Sequence, residues 1–159
     1  MLSMGIDPGT ARCGFGLVEV EGDRLTAVEF GSIETSARAR MQDRLEKIYD
    51  SVDGLMKRYR PDVMGVEKLF FGRNATTAIP VGQARGVVLL AAAKNAIELI
   101  ELTPAEIKLS VTGYGNADKQ QVTFMIAKLL KLEEKIALDD TADALAVAIA
   151  VANLPRGTF

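Results

Sequence analysis

Along this chain the apolar positions first alternate with polar ones and later fall at helical spacing, and that change of period orders the expected elements. Leu2 to Asp7 is a short apolar run stopped by Pro8-Gly9, and Phe15 to Val20 alternates apolar residues with Gly or acid, so both read as strands. Gly22-Asp23 is hairpin-turn chemistry leading into a third strand near Leu25 to Ile33, which completes an antiparallel meander. From about Ala39 to Arg60, Met41, Leu45, Ile48, Tyr49, Val52, Leu55, Met56 and Tyr59 recur at helical spacing among charges, an amphipathic helix ended by Pro61-Asp62. Val63 to Glu67 reads as a short buried strand finishing on a carboxylate. A long Ala/Gly-rich helix is expected from about Asn74 to Asn95, with Pro80 able to kink it or delay its first regular turn. Ile97 to Leu102 is a fifth strand, and Thr103-Pro104 is an N-cap plus first-turn proline for a short helix. After the loop Gly113-Tyr114-Gly115, Asn116 is expected to cap a helix running to about Leu132. The last helix starts near Asp139 or Asp140, runs through Leu145 and Ile149, and stops before Pro155.

This order predicts an α/β fold: a mixed five-stranded sheet, three strands antiparallel and then parallel ones reached by helical crossovers, with helices on both faces. At 159 residues, 48% apolar and 25% charged, the chain is expected to be a single domain over 1–159, and a disordered or collagen-like protein is excluded. A lone cysteine, Cys13, makes no internal disulfide. The opening residues lack a basic n-region, and no stretch reaches 18 uninterrupted apolar residues, so a cytoplasmic location without a membrane partner is expected. The net charge of −2 and a pI near 5.3 argue against a generic nucleic-acid coat. The charge is segregated, however. Arg73, Arg85 and Lys94 stand in an acid-free stretch, Lys108, Lys119, Lys128 and Lys131 face Asp118 alone, and acids dominate from Glu133 to Asp143.

Four acids carry the chemistry. Asp7 lies where the first strand gives way to Pro-Gly, and Glu67 ends the fourth strand, so neighbouring strands would set both on one sheet edge. Asp140 and Asp143 are i and i+3, on one face of the last helix at its amino-terminal turn. Taken singly, each is as well explained as a helix cap or a surface acid. Together they are harder to explain away, because Asp143 precedes Ala144-Leu145-Ala146 on an apolar face where an unpaired acid is costly. Two carboxylates about 5 Å apart repel by roughly 3 kcal/mol at an effective dielectric of 20, so such a cluster calls for cations. Oxygen donors in a chain without any His favour Mg²⁺ or Mn²⁺ over zinc, and two such ions suit phosphodiester hydrolysis.

The series Gly5-Ile6-Asp7-Pro8-Gly9-Thr10, Gly14-Phe15-Gly16, Val66-Glu67-Lys68-Leu69-Phe70, Asn74, Gly82-Gln83-Ala84-Arg85-Gly86-Val87, Pro104-Ala105-Glu106-Ile107-Lys108, Val111 through Val122 and Asp140-Thr141-Ala142-Asp143-Ala144-Leu145-Ala146 resembles the RuvC family of Holliday-junction resolvases in order and spacing. The resemblance implies a ribonuclease-H-like fold and a homodimeric endonuclease with two Mg²⁺ per active site, Mn²⁺ substituting, that nicks two opposed strands of a four-way DNA junction symmetrically in recombination and repair. It puts Asp7, Glu67, Asp140 and Asp143 on the metal-holding catalytic carboxylates, with Asp139 one residue off register as an alternative ligand. It also sets Lys108 and Lys119 near the scissile phosphate, Lys119 with a catalytic part. Phe70, or its neighbour Phe71, would stack on junction bases, with Arg73 and Arg85 as further DNA contacts. The branch-migration proteins RuvA and RuvB are the implied partners. The chain departs from many relatives in ending at Arg156-Gly157-Thr158-Phe159 without a basic tail.

Two other readings compete. Asp7-Pro8-Gly9-Thr10 followed by Gly14-Phe15-Gly16 looks like the first phosphate loop of an actin-like or sugar-kinase-like ATP-binding protein, but a second lobe and a second loop are missing at this length. A non-catalytic junction-binding dimer would be expected to have lost a carboxylate, and all four stand.

Overall fold

The computed structural model describes residues 1–68, 75–132 and 140–155. Among them lie strands β1 (Leu2–Asp7), β2 (Arg12–Glu21), β3 (Arg24–Glu34), β4 (Val63–Glu67) and β5 (Glu98–Leu102), and helices α1 (Met41–Tyr59), α2 (Ala75–Lys94), α3 (Pro104–Thr112), α4 (Lys119–Leu129) and α5 (Asp140–Ala152). The strands form one sheet in the order β3-β2-β1-β4-β5. β1 pairs antiparallel with β2 and β2 with β3, whereas β1 with β4 and β4 with β5 are parallel. The mixed sheet expected from the sequence is therefore the one observed, with β1 joining its antiparallel and parallel halves.

Helices cover both faces. On one, Met4, Ile6, Phe15, Leu17 and Met64 pack against Ile48, Val52 and Met56 of α1 and Ala84, Val88 and Ala91 of α2. On the other, Val18, Val63 and Leu102 pack against Ile107 and Val111 of α3, Val122 and Ile126 of α4, and the whole of α5. Every described residue of α5 from Ala144 to Ala152 is buried, as suits a helix laid flat between sheet and neighbouring helices. None of the described helices is long and apolar enough to cross a membrane.

Helix termini follow the local chemistry, with one correction. Thr103 caps α3 through a reciprocal box: Glu106 N–H donates to Thr103 Oγ1 at 3.2 Å, and Thr103 N–H donates to Glu106 Oε2 at 2.7 Å. The cap of α4 is Asp118 and not Asn116, and the helix ends at Leu129, short of Leu132. Asp118 stands three residues before Gln121 and exchanges bonds of 2.8 and 2.9 Å with it, whereas Asn116 lies in a turn closed by Ala117 N–H on the Tyr114 carbonyl. α2 runs through Pro80 unbroken, the ring falling in its second turn.

Candidate active site

Strand parity decides which side chains meet α5. In β1, Ser3, Gly5 and Asp7 alternate with Met4 and Ile6, and the latter two belong to the α1/α2 core. In β4 the same alternation sends Met64 and Val66 away and leaves Gly65 and Glu67 toward α5. The last parallel rung is Ile6 with Val66, so Asp7 and Glu67 follow side by side at the carboxyl edge.

Glycines let α5 settle onto that edge. A Cβ at Gly5 would overlap the Ala144 carbonyl oxygen, one at Gly14 would overlap the Asp140 carbonyl oxygen, and one at Gly16 would come within 2.8 Å of Leu145 Cδ2. Further along, the buried Ser3 hydroxyl shares its proton between the Val18 and Ala148 carbonyls at 3.1 and 2.9 Å, tying β1 to the same helix. The amino-terminal turn of α5, which carries Asp140 and Asp143, is thereby held directly above Asp7. Gly14 and Gly16, which the sequence could also present as part of a phosphate loop, are roofed by α5.

Electrostatics record the convergence. The Asp7 carboxyl is pushed up from 3.8 to about 7, first by burial and then by the charges of Asp143, Asp140 and Glu67, with Lys119 opposing. Glu67 is raised as well, by burial and by Asp143, against the pull of Lys108. The buried Cys13 thiol rises to about 12, chiefly through burial, with small contributions from Asp7 and Asp140, so it stays protonated and unreactive. Lys119 Nζ donates to Asp143 Oδ2 at 3.0 Å, a contact that raises the ammonium's pKa. Beside these groups opens a hollow of about 340 Å³, lined by Glu67, Lys108, Lys119 and Asp143 over a floor of Pro104, Ile107, Val122 and Ala146.

Of the residues singled out from sequence, Asp7, Glu67, Asp140, Asp143, Lys108 and Lys119 thus come together. Arg85 does not join them. It projects from α2 on the opposite face of the sheet, where its guanidinium meets Glu101 of β5 at 2.8 Å and its Nε is buried without a partner among the described residues. Phe70, Phe71, Arg73 and Asp139 lie outside the described residues. The sequence presents Gly5, Gly14 and Gly16 as motif or phosphate-loop glycines and not as a seat for α5, and it does not single out Ser3; the signal available for the seat is the spacing of small residues on one face of β1, β2 and β4.

The donors suit a hard divalent cation: they are carboxylate oxygens only, and three mutually repelling acids around Asp7 are what a cation would relieve. The fit is one of donor type and charge. Among the described residues no three acidic, His or Cys side chains are gathered tightly enough to hold an ion by themselves.

Comparison with known proteins identifies the family and the fold. The sequence profile of the family described as "Crossover junction endodeoxyribonuclease RuvC" matches residues 3–151. The chain is 51% identical over 153 residues to the protein of that name from Heliobacterium modesticaldum, covering 96% of this chain and 94% of the relative. Among solved structures, Thermus thermophilus RuvC in complex with Holliday junction substrate superposes with a TM-score of 0.90 at 33% identity, over 96% of this chain and 93% of that one. The yeast mitochondrial Holliday junction resolvase Ydc2 shares the fold, with a TM-score of 0.63 at 15% identity over 93% of this chain and 77% of that one.

Proposed function

Since the chain belongs to the RuvC family of crossover junction endodeoxyribonucleases, we propose that it is a Holliday-junction resolvase: a metal-dependent endonuclease that nicks two opposed strands of a four-way DNA junction. The observation that carries this is the gathering of Asp7, Glu67, Asp140 and Asp143 at one end of the sheet, where burial first and then the charges of the other three push Asp7 up to about 7. Nothing structural is gained by such crowding.

Asp7, Glu67, Asp140 and Asp143 would hold two Mg²⁺, with Mn²⁺ as a substitute. Bound there, the ions would supply an activated water and offset charge on the leaving oxygen. The chain's own groups do the rest. The hollow beside Glu67 and Asp143 has room for a phosphodiester, and Lys108 and Lys119 on its rim present ammonium groups to the non-bridging oxygens, where negative charge grows during attack. Phe70 and Phe71, three and four residues beyond Glu67, are assigned to stacking on bases at the crossover, with Arg73 on the backbone. Arg85 is committed to Glu101, and we assign it to anchoring α2 on β5. RuvA and RuvB are the partners expected of a resolvase of this family.

A pair of symmetric nicks also needs two sites. The outer stripe of α2, with Ile79 68% and Leu90 52% exposed and Gly86 open between them, is assigned to the contact between two copies. The test is incubation with a synthetic four-way junction in Mg²⁺ and in chelator. Paired symmetric nicks with metal alone are expected, and Asp7→Asn, Glu67→Gln, Asp140→Asn or Asp143→Asn should each lower cleavage on the order of a hundredfold or more while junction binding survives. Cleavage that persists in chelator would remove the metal from the mechanism.

A further inference from the structure

Lys119 does two things that conflict. It faces the hollow where a phosphate is expected, yet its ammonium is already bound to Asp143 Oδ2 at 3.0 Å, on an oxygen that a metal would need. Among the described residues it is the one cation in an ion pair with any of the four clustered acids. From this geometry we infer that Lys119 is a placeholder: it occupies Asp143 while the site lacks DNA, and the scissile phosphate, by drawing the ammonium away, frees Asp143 for the metal. The inference rests on the resolvase reading above and adds to it an order of assembly.

The physical basis is competition for one charge. Asp143 lies beside Asp7 and Glu67, whose carboxyls both feel its charge, so its vacancy without a cation is unfavourable. Lys119 relieves that from an independent support. It is the first residue of α4, whose backbone is fixed by the Asp118 cap and by Val122 and Ile126 in the core. The backbone stays where it is while the four-carbon stem swings its ammonium between carboxylate and phosphate. Both partners are about half exposed, 52% and 43%, so the pair is weak enough to be given up. By reciprocity, whatever phosphate does for the metal's affinity, the metal does for the phosphate's.

The experiment measures Mn²⁺ binding to the full chain by the paramagnetic resonance of the free ion, at low temperature. Parent, Lys119→Met, Lys119→Gln and Asp7→Asn are each titrated with and without a four-way junction shown intact on denaturing gels. Melts in chelator confirm that the variants fold, and either Lys119 variant suffices. Without DNA, removing the ammonium should tighten Mn²⁺ binding about two- to fivefold, the range expected for losing a half-exposed ion pair. With junction bound, that advantage should shrink toward parity. Unchanged or weaker binding without DNA overturns the inference. So does an advantage of equal size with and without junction, which is what mere loss of a nearby positive charge would produce. If instead Asp7→Asn binds Mn²⁺ as well as the parent, the carboxylate site itself is misassigned and the inference goes with it.

Discussion

At the scale of single residues, Asp7 is where the site's conflict is stored. Its carboxyl is raised from 3.8 to about 7, the reverse of the usual structural carboxylate. A raised carboxyl favours the metal-free fold when protonated: the contribution is full below about pH 3.8 and is lost as pH climbs through about 7. The loss is on the order of 4 kcal/mol at most, and solvent reaching the cleft makes it smaller. Thermal melts in chelator should show the parent falling in stability between pH 4 and pH 8 while Asp7→Asn falls much less, so that the variant is the more stable protein at pH 8, by a smaller margin at pH 5, and nearly equal only toward pH 4. Parallel profiles would mean that neither burial nor the neighbouring acids raise the Asp7 carboxyl. That Asp7, Glu67 and the helix pair belong together was legible in the sequence, because a strand end and an i,i+3 step fix direction without knowledge of the rest. Arg85 was not legible: its partner Glu101 lies on another element, and only the parity of β5, with Leu99 facing the α2 side and Ile100 the α5 side, reveals that they meet.

At the scale of elements, the decisive fit is α5 on its glycine seat. Gly14→Ala would drive a methyl into the Asp140 carbonyl, and α5 can yield only by lifting the turn that carries Asp140 and Asp143. The expected cost is about 1 to 3 kcal/mol of stability, with cleavage lost out of proportion to the fraction unfolded. Gly54→Ala is the control, since this exposed position in α1 has nothing within 4 Å of a new Cβ and should gain about 0.5 to 1 kcal/mol from helix propensity. Urea titrations of both variants, beside junction cleavage, check the pair; a Gly14→Ala protein of parental stability and activity would show that α5 does not depend on this approach. In the sequence these glycines were ambiguous, because a strand glycine signals that something comes close without saying what, and a phosphate satisfied the pattern as well as a helix did. α4 shows the same limit on a smaller scale. Asn116 and Asp118 are both good capping residues, and only the reciprocal reach of Gln121 decides for Asp118.

At the scale of the whole molecule, a 17.1 kDa chain gathers Asp7, Glu67, Asp140 and Asp143 at one place, while a four-way junction offers two opposed strands. The surface assigned to pairing is the outward stripe of α2, where Ile79, Gln83, Gly86 and Leu90 follow one another at i, i+4, i+7 and i+11 and are all exposed. Gly86 permits two helices to approach closely between the apolar Ile79 and Leu90, and the opposite stripe, Ala84, Val88 and Ala91, is already spent on the core shared with α1 and the sheet. Leu90→Glu should therefore leave the fold intact, since this side chain is 52% exposed, while placing like charges together across the pairing axis. Sedimentation velocity should give a dimer for the parent and a monomer for the variant at micromolar concentration. On a junction in Mg²⁺, the parent should release paired nicks, and the variant should accumulate singly nicked junctions at a lower rate, because its two incisions would come from independent encounters. A Leu90→Glu protein that remains dimeric would move the interface off α2, and one that is monomeric yet still cuts in pairs would separate symmetric incision from dimerisation.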